Sequence, residues 1–421
     1  MKKLIIAIFT TVLFSSCADQ LEQFSFTAIS PDAVDLRDVP AVRYGMYNSV
    51  QNDPTVRSFI MFDMLGGTIQ SNTGTSRDLI NATLSPLNST IGSSWNGYFS
   101  ALYQVNNMIA VAERFPQAEL ASISKGEAHY FRAYIYFSLV TRWGDVPILR
   151  QNTLERVSRD PVAAVWAFIE EDLDIAASLL SSSQNYYYVS RDAAIALKAR
   201  VMLSQGKMQA AADLAESLIT SGAYRLDAFE KIFRGGANTE IIFAFENRTE
   251  ESSINISDLF YTYAHPNRGQ GSYKPTPETI ALFADEDNRK PISLTNIAGT
   301  ICINKYPSGQ TGRDPFIVSR IAELFLISAE AQGRSLGVNR LNELRRFRGL
   351  SDIFPSSDEE YTTAILNERR RELLGENFMY HDLVRTGRAK DELQLLNHQL
   401  VLPIPGRELQ LNPNLTPNPG Y

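Results

Sequence analysis

The chain has 421 residues, 44% of them hydrophobic and 21% charged, a globular composition with length for one large domain or two. A net charge of −7 argues against nucleic acid as a partner, since its binders gather Lys and Arg on one face. Two distant cysteines, Cys17 and Cys302, exclude a disulfide framework. Four scattered histidines (His129, His265, His381 and His398) make no metal-ligand cluster, so no metal is expected.

Lys2 and Lys3 precede an apolar run over residues 4–14. Eleven residues are too few to span about 30 Å of hydrocarbon, so residues 1–16 read as a signal peptide. Ser15 and Ser16 then lead into Cys17, the small-small-Cys ending of a bacterial lipobox, with Phe14 in place of the commoner Leu. Cleavage before Cys17 and acylation of its thiol and amine are expected, and two or more acyl chains anchor a protein stably. Residues 17–32 are polar and poorly periodic, a tether from lipid to domain. Residues 33–421 then read as a single domain.

Pro40 after Asp38 suits a first helical turn, and the helix runs to about Val50 with Ala41, Tyr44 and Val50 among its apolar positions. Residues 52–94 are rich in Gly, Ser, Thr and Asn, a length of loop that is uncommon and usually functional. They carry Arg77 and Asp78 and end at Trp95 and Asn96. Helices are expected over 95–114, 125–142, 162–180, 190–204 and 207–220. In the second of these, Phe131, Tyr134, Ser138 and Thr141 make a stripe that reads as core. Tyr186, Tyr187 and Tyr188 form an aromatic run between helices. Gly206 turns the chain sharply, and Ala211, Ala212 and Ala215 let the next helix approach closely. Pairs of helices at this spacing suggest TPR-like stacking.

Residues 222–315 break that rhythm. A short strand is expected over 240–245, and the remainder is rich in Tyr, Gly, Pro and Asn. It reads as a large irregular excursion packed against the helical frame, which resumes at about Phe316.

The stretch 365–387 is the most informative. On a helical wheel Ile365, Arg369, Glu372 and Glu376 fall on one face, with Leu366 and Leu373 at its edge, while Arg370 and Arg371 lie off it. Charges beside Ile and Leu need partners, because an unpaired buried charge is costly. Arg369, Glu372 and Glu376, with Asp382 and Arg385 just beyond, therefore read as an internal ion-pair network. By the same wheel Arg371 is expected to be solvated.

This stretch resembles the signature of the SusD/RagB family of surface nutrient-binding lipoproteins. Ile365, Glu368, Arg369, Arg370, Glu372, Leu373, Glu376, Asp382, Leu383, Arg385 and Gly387 match, while Asn377 replaces a usual Gly and Met379 a usual Arg. Family-like motifs recur in order elsewhere: the Gly45-Met46-Tyr47 triplet, the aromatic helix opening at Trp95, and the Trp143-Gly144-Asp145 turn. Asn342, Arg345, Gly349 and Leu350 also match, with Phe347 and Arg348 departing, and so does the tail from Leu402 to Tyr421, where Pro417 replaces a usual Gln. The resemblance implies a mainly α fold: a SusD-like superhelical frame of TPR-like helix pairs with large loop-rich insertions, here at about 52–94 and 222–315.

No catalytic constellation is present: no P-loop, no G-x-S-x-G and no glycine-rich fingerprint after a strand, so neither an enzyme nor a cofactor is expected. Glu368, Glu372 and Glu376 lie among arginines, which hold carboxylates ionised rather than tune one as an acid. A sugar site needs aromatic platforms and hydrogen-bonding groups. The insertions offer Arg77, Asp78, Trp95 and Asn96, then Tyr261, Tyr263, Asn267, Arg268, Tyr273 and Lys274, with the run at Tyr186, Tyr187 and Tyr188 as a further candidate. The site is expected where the two insertions meet, with Trp95, Tyr261, Tyr263 or Tyr273 as platform. The resemblance implies an outer-membrane lipoprotein on the cell surface that binds an oligosaccharide and caps a SusC-like TonB-dependent transporter. Peptide binding, as in RagB-like relatives, and a structural lid with little affinity of its own are the alternatives it leaves open.

Overall fold

The computed structural model describes residues 31–183, 185–250 and 254–421. The signal segment and Cys17 lie outside the described residues. The frame is built from α1 (Val39–Asn52), α2 (Ser89–Arg114), α3 (Glu119–Trp143), α4 (Val162–Leu179), α5 (Arg191–Ser204), α6 (Met208–Ile219), α7 (Ile321–Ala331) and α8 (Gly333–Phe347). Each of these helices packs on the next in that order. Helix α9 (Asp358–Glu372) then lies on α7 and α8, and α10 (Met379–Arg385) follows it. The largest apolar cluster runs through all of them, from Val34 to Ile404.

Local chemistry explains the joints. Asn88 caps α2, its side chain accepting from Ile91 N at 3.0 Å, so that helix starts six residues before the expected Trp95. Ser190 and Ser357 cap α5 and α9 in the same way. Gly206 has φ +71 in the turn between α5 and α6, a conformation that favours glycine. At Gly97 a Cβ would fall 2.1 Å from the Asp53 carbonyl oxygen, so only glycine lets α2 lie against the chain there. Helix α3 is buried almost all round from Gly126 to Trp143, which makes it the central helix. The C-terminal tail clamps its end. Trp143 Nε1 donates to the Pro403 carbonyl at 3.1 Å, and Asn418 Nδ2 donates to the carbonyls of Trp143 and Leu402.

Two expectations are corrected. Residues 52–94 are not one long loop. Short helices at Val56–Ile60 and Met61–Leu65 bury Phe59, Ile60, Met61 and Met64, because the run at 59–65 is almost wholly apolar. Nor does the frame resume as helix at Phe316. Strand β6 (Phe316–Arg320) precedes α7 and pairs antiparallel with β2 (Ile241–Phe245), the strand expected at 240–245. Both strands are buried throughout and pack on α5.

The chain therefore leaves α6, makes its excursion, and returns through β6 to α7, which lies beside α6. Within the excursion β4 (Leu294–Ile297) and β5 (Thr300–Ile303) form a hairpin. Strand β1 (Ile69–Ser71) of the first insertion pairs antiparallel with β3 (Tyr273–Pro275) of the second, Gln70 opposite Lys274. The two insertions thus meet in a ladder of backbone hydrogen bonds.

Candidate functional site

The charged face of α9 is buried, and its partners come from far away in the sequence. Glu372 accepts from Arg289 at 2.8 Å and from Arg320 and Arg348 at 2.5 and 2.9 Å. Glu376 takes Arg320 and Lys305, at 2.9 and 2.6 Å. Glu240, just before β2, bridges Arg320 and Arg348. Arg289 also meets Asp287 and Glu368. Arg369 stands apart from this group: its Nε donates to Asp382 at 2.6 Å, and Arg385 joins Asp382 to Glu330 on α7. Arg371 is not solvated as the wheel implied. Its side chain is 12% exposed and pairs with Glu368 at 2.6 Å, because α9 is covered on that side by the excursion and α8. Arg348, a departure from the family pattern, is a central member of the network.

Burial pushes the Glu368 carboxyl up, but Arg289, Arg371 and Arg345 outweigh it and hold the group down to about 2. For Glu372 burial is likewise outweighed, by Arg348, Arg320 and Arg289, and its carboxyl lies well below the usual range. These carboxylates are ionised, cation-matched and closed to solvent. They hold the excursion onto the frame and lack the raised pKa that a glycosidase acid requires.

The expected ligand residues fall into three groups. Trp95, Tyr261 and Tyr273 are buried, which corrects their assignment as platforms. Trp95 is 3% exposed, edge-on to Trp143 with centroids 5.2 Å apart, and so completes the core at α3. The Tyr261 hydroxyl donates to Asn304, and the Tyr273 hydroxyl binds Ser76 and accepts from Arg57. Both rings fasten the excursion from inside. Asp78 and Asn267 are exposed, yet they tie their own loops, to Asn88 and to the Pro307 carbonyl. Arg77 and Asn96 are exposed, and Lys274 is half-buried in β3. Only Tyr263, 70% exposed, presents an open ring among the four expected platforms. Arg268 covers one of its faces at 4.9 Å and donates to its hydroxyl.

A cleft of about 610 Å³ lies elsewhere, where α1 faces the aromatic run at 186–188 and the end of β2. Tyr44, Tyr47, Asn48 and Gln51 line it from α1, at the i, i+3, i+4, i+7 spacing of a single helical face. Tyr187 and Tyr188 form another wall, and Phe245, Glu246 and Arg248 complete it. Ligand pockets commonly enclose about 300–1,000 Å³. Tyr44, one of the expected apolar positions of this helix, is 58% exposed and faces the cleft.

The walls are braced. Arg43 donates through Nε and a terminal nitrogen to Glu127 of α3, both at 2.6 Å. Its guanidinium lies 4.5 Å from the Tyr188 ring and 5.6 Å from Tyr47. Tyr47 packs edge-on to Phe131 at 4.7 Å, and its hydroxyl accepts from Val189 N at 3.0 Å. The tyrosines therefore stand on buried supports before any ligand arrives. Another hollow, about 40 Å³, lies in the core between Phe62, Phe137 and His381, with room for water but no sugar ring.

Known proteins share this architecture. Residues 33–203 match a family described as starch-binding and associating with the outer membrane, and residues 303–400 match the SusD family. A SusD-like protein, P38, of Formosa agariphila is 24% identical over 82% of this chain and 83% of its own. A SusD superfamily protein of Bacteroides vulgatus superposes with a TM-score of 0.83 at 21% identity, covering 92% of this chain and 99% of that one. A laminarin-binding SusD-like protein superposes with a TM-score of 0.79 at 23% identity, covering 92% and 100%. The chain belongs to the SusD/RagB family. That family is one of glycan-binding proteins associated with the outer membrane.

Proposed function

We propose that this protein is a surface lipoprotein, anchored through Cys17 after removal of residues 1–16, whose single domain binds an oligosaccharide in the cleft between α1 and Tyr187–Tyr188. It passes the ligand to a SusC-like TonB-dependent transporter in nutrient uptake and does not cleave it. The observation that carries this reading is the cleft: braced, part-exposed tyrosines beside Asn48 and Gln51, the combination that apolar sugar faces and their hydroxyl rims require. Among the described residues no helix is long and apolar enough to cross a membrane, which is consistent with a lipid anchor. A second reading places a ligand on Tyr263, the open ring stacked by Arg268 in the excursion.

Calorimetry with a panel of oligosaccharides, laminarin-derived ones included, tests the site. One stacked ring is worth about 1 kcal/mol, so affinities in the micromolar to millimolar range are expected. Tyr188→Ala should weaken binding about fivefold to tenfold, whereas Tyr263→Ala should leave it unchanged. The reverse pattern moves the site to the excursion, and a shortened glycan overturns the non-catalytic reading. Gentle detergent extraction should bring down a large barrel-type transporter, and Cys17→Ser should release the protein from the membrane fraction.

A further inference from the structure

The cleft's charges bear on which glycans it accepts. Among the described residues one cation, Arg248, lines it and a second, Arg43, stands against Tyr47 and Tyr188; each already has a carboxylate. Arg248 pairs with Glu246 at 2.8 Å on the rim. Arg43 is held by both Glu127 oxygens at 2.6 Å, with its guanidinium carbon 4.5 Å from the Tyr188 ring centre. The rest of the described lining offers amides (Asn48 and Gln51), tyrosine hydroxyls and ring faces. None of these carries charge at neutral pH.

Resting on the cleft reading above, we infer that this site selects uncharged oligosaccharides and discriminates against uronate-bearing and sulfated ones. An acidic sugar entering the cleft loses water from its anion and needs a cation in exchange. An anion placed on Arg248 also meets the Glu246 carboxylate that already pairs with it on the rim. To supply Arg43 the protein must strand the buried Glu127 and withdraw the support of Tyr188. A neutral sugar asks for neither, since its hydroxyls exchange hydrogen bonds with amides and phenols while its C–H faces stack. The net charge of −7 adds a weaker, salt-screened repulsion of polyanions at longer range.

The test uses the full chain in detergent and two sets of oligosaccharides matched in length, neutral hexose oligomers and uronic acid oligomers, measured by calorimetry at fixed ionic strength. The best neutral oligomer should bind at least tenfold more tightly than the best acidic one, and Tyr188→Ala should weaken it. Glu246→Gln removes the negative charge that an acidic sugar meets on the rim and should raise the acidic-to-neutral affinity ratio about threefold, the effect of one charge a few ångströms away in a solvated cleft. Acidic oligomers binding as tightly as neutral ones, with Tyr188→Ala weakening both, would overturn the charge inference and leave the cleft in place. An unmoved ratio in Glu246→Gln would also overturn it. No binding of either set, or binding untouched by Tyr44→Ala, Tyr187→Ala and Tyr188→Ala, would overturn the cleft reading itself.

Discussion

At Glu372 three guanidinium groups converge on one buried carboxylate, and each comes from a different part of the chain. Glu372→Ala leaves those cations short of an anion, so we expect a loss of about 3–5 kcal/mol, measured as a fall in denaturation midpoint. Arg371→Ala removes one of three cations from the buried Glu368, which keeps Arg289 and Arg345, and should cost less, about 2 kcal/mol. Equal small shifts would show that the network does not hold the fold. Acid should act in two stages. Burial, then Arg385 beside it, pushes the His381 imidazole down to about 3 from an ordinary 6.5. The unfolded chain therefore binds that proton first, and stability falls as pH drops below about 6.5. The depressed carboxylates give stability that is whole above their ordinary 4.5 and is lost as pH falls toward about 2, the Glu368 value. The buried Asp63 carboxyl, pushed up to about 6, takes its proton first in the folded chain and offsets part of the His381 loss. Thermal midpoints should therefore fall only slightly between pH 6.5 and 4.5 and steeply below 4.5, and in His381→Phe they should not fall before 4.5. The wheel at 365–376 was enough to put Glu372 and Glu376 on a buried face. It carried no information about Arg289, Lys305 or Arg320, which reach that face only through tertiary packing.

Helix α1 shows why an element's period does not disclose its role. Tyr44 and Tyr47 fall on one helical face, and that pattern reads as core whether the face meets other helices or a cleft. Trp95 illustrates the converse: an aromatic at the edge of a polar stretch read as a platform, yet α2 begins earlier and turns it inward against Trp143. The brace beneath α1 offers a measurement at this scale. Removing either Arg43 or Glu127 strands the other charge, buried or nearly so, and should destabilise by about 3 kcal/mol. The double replacement Arg43→Met with Glu127→Met should cost less than the two single changes added together. Full additivity would mean the two charges do not stabilise each other. Arg43→Met should also weaken glycan binding, because Tyr188 loses the cation beside its ring.

Across the whole molecule, the helical frame was legible because its period is local, and α1 to α6 fall close to where periodicity and caps put them. Of the short strands β2 was expected and the others were not, since three to five residues paired across the chain leave little local signal, as with β1 and β3. The excursion between α6 and α7 has a consequence for how such a protein can change. Its two ends are fixed at neighbouring helices, so doubling its length would add only about 0.6 kcal/mol of closure entropy. It behaves as an exchangeable part on a permanent mount. The mount is keyed, however: Glu240, Arg289, Lys305 and Arg320 all sit on the excursion or the strand that ends it, and they meet counter-charges just past α8, on α9 and in the turn that follows α9. A replacement segment taken from a relative can differ freely in its surface but must arrive with the same four teeth. One that omits them leaves Glu376 without a cation, and Glu368 and Glu372 with only Arg345, Arg371 and Arg348 to hold them.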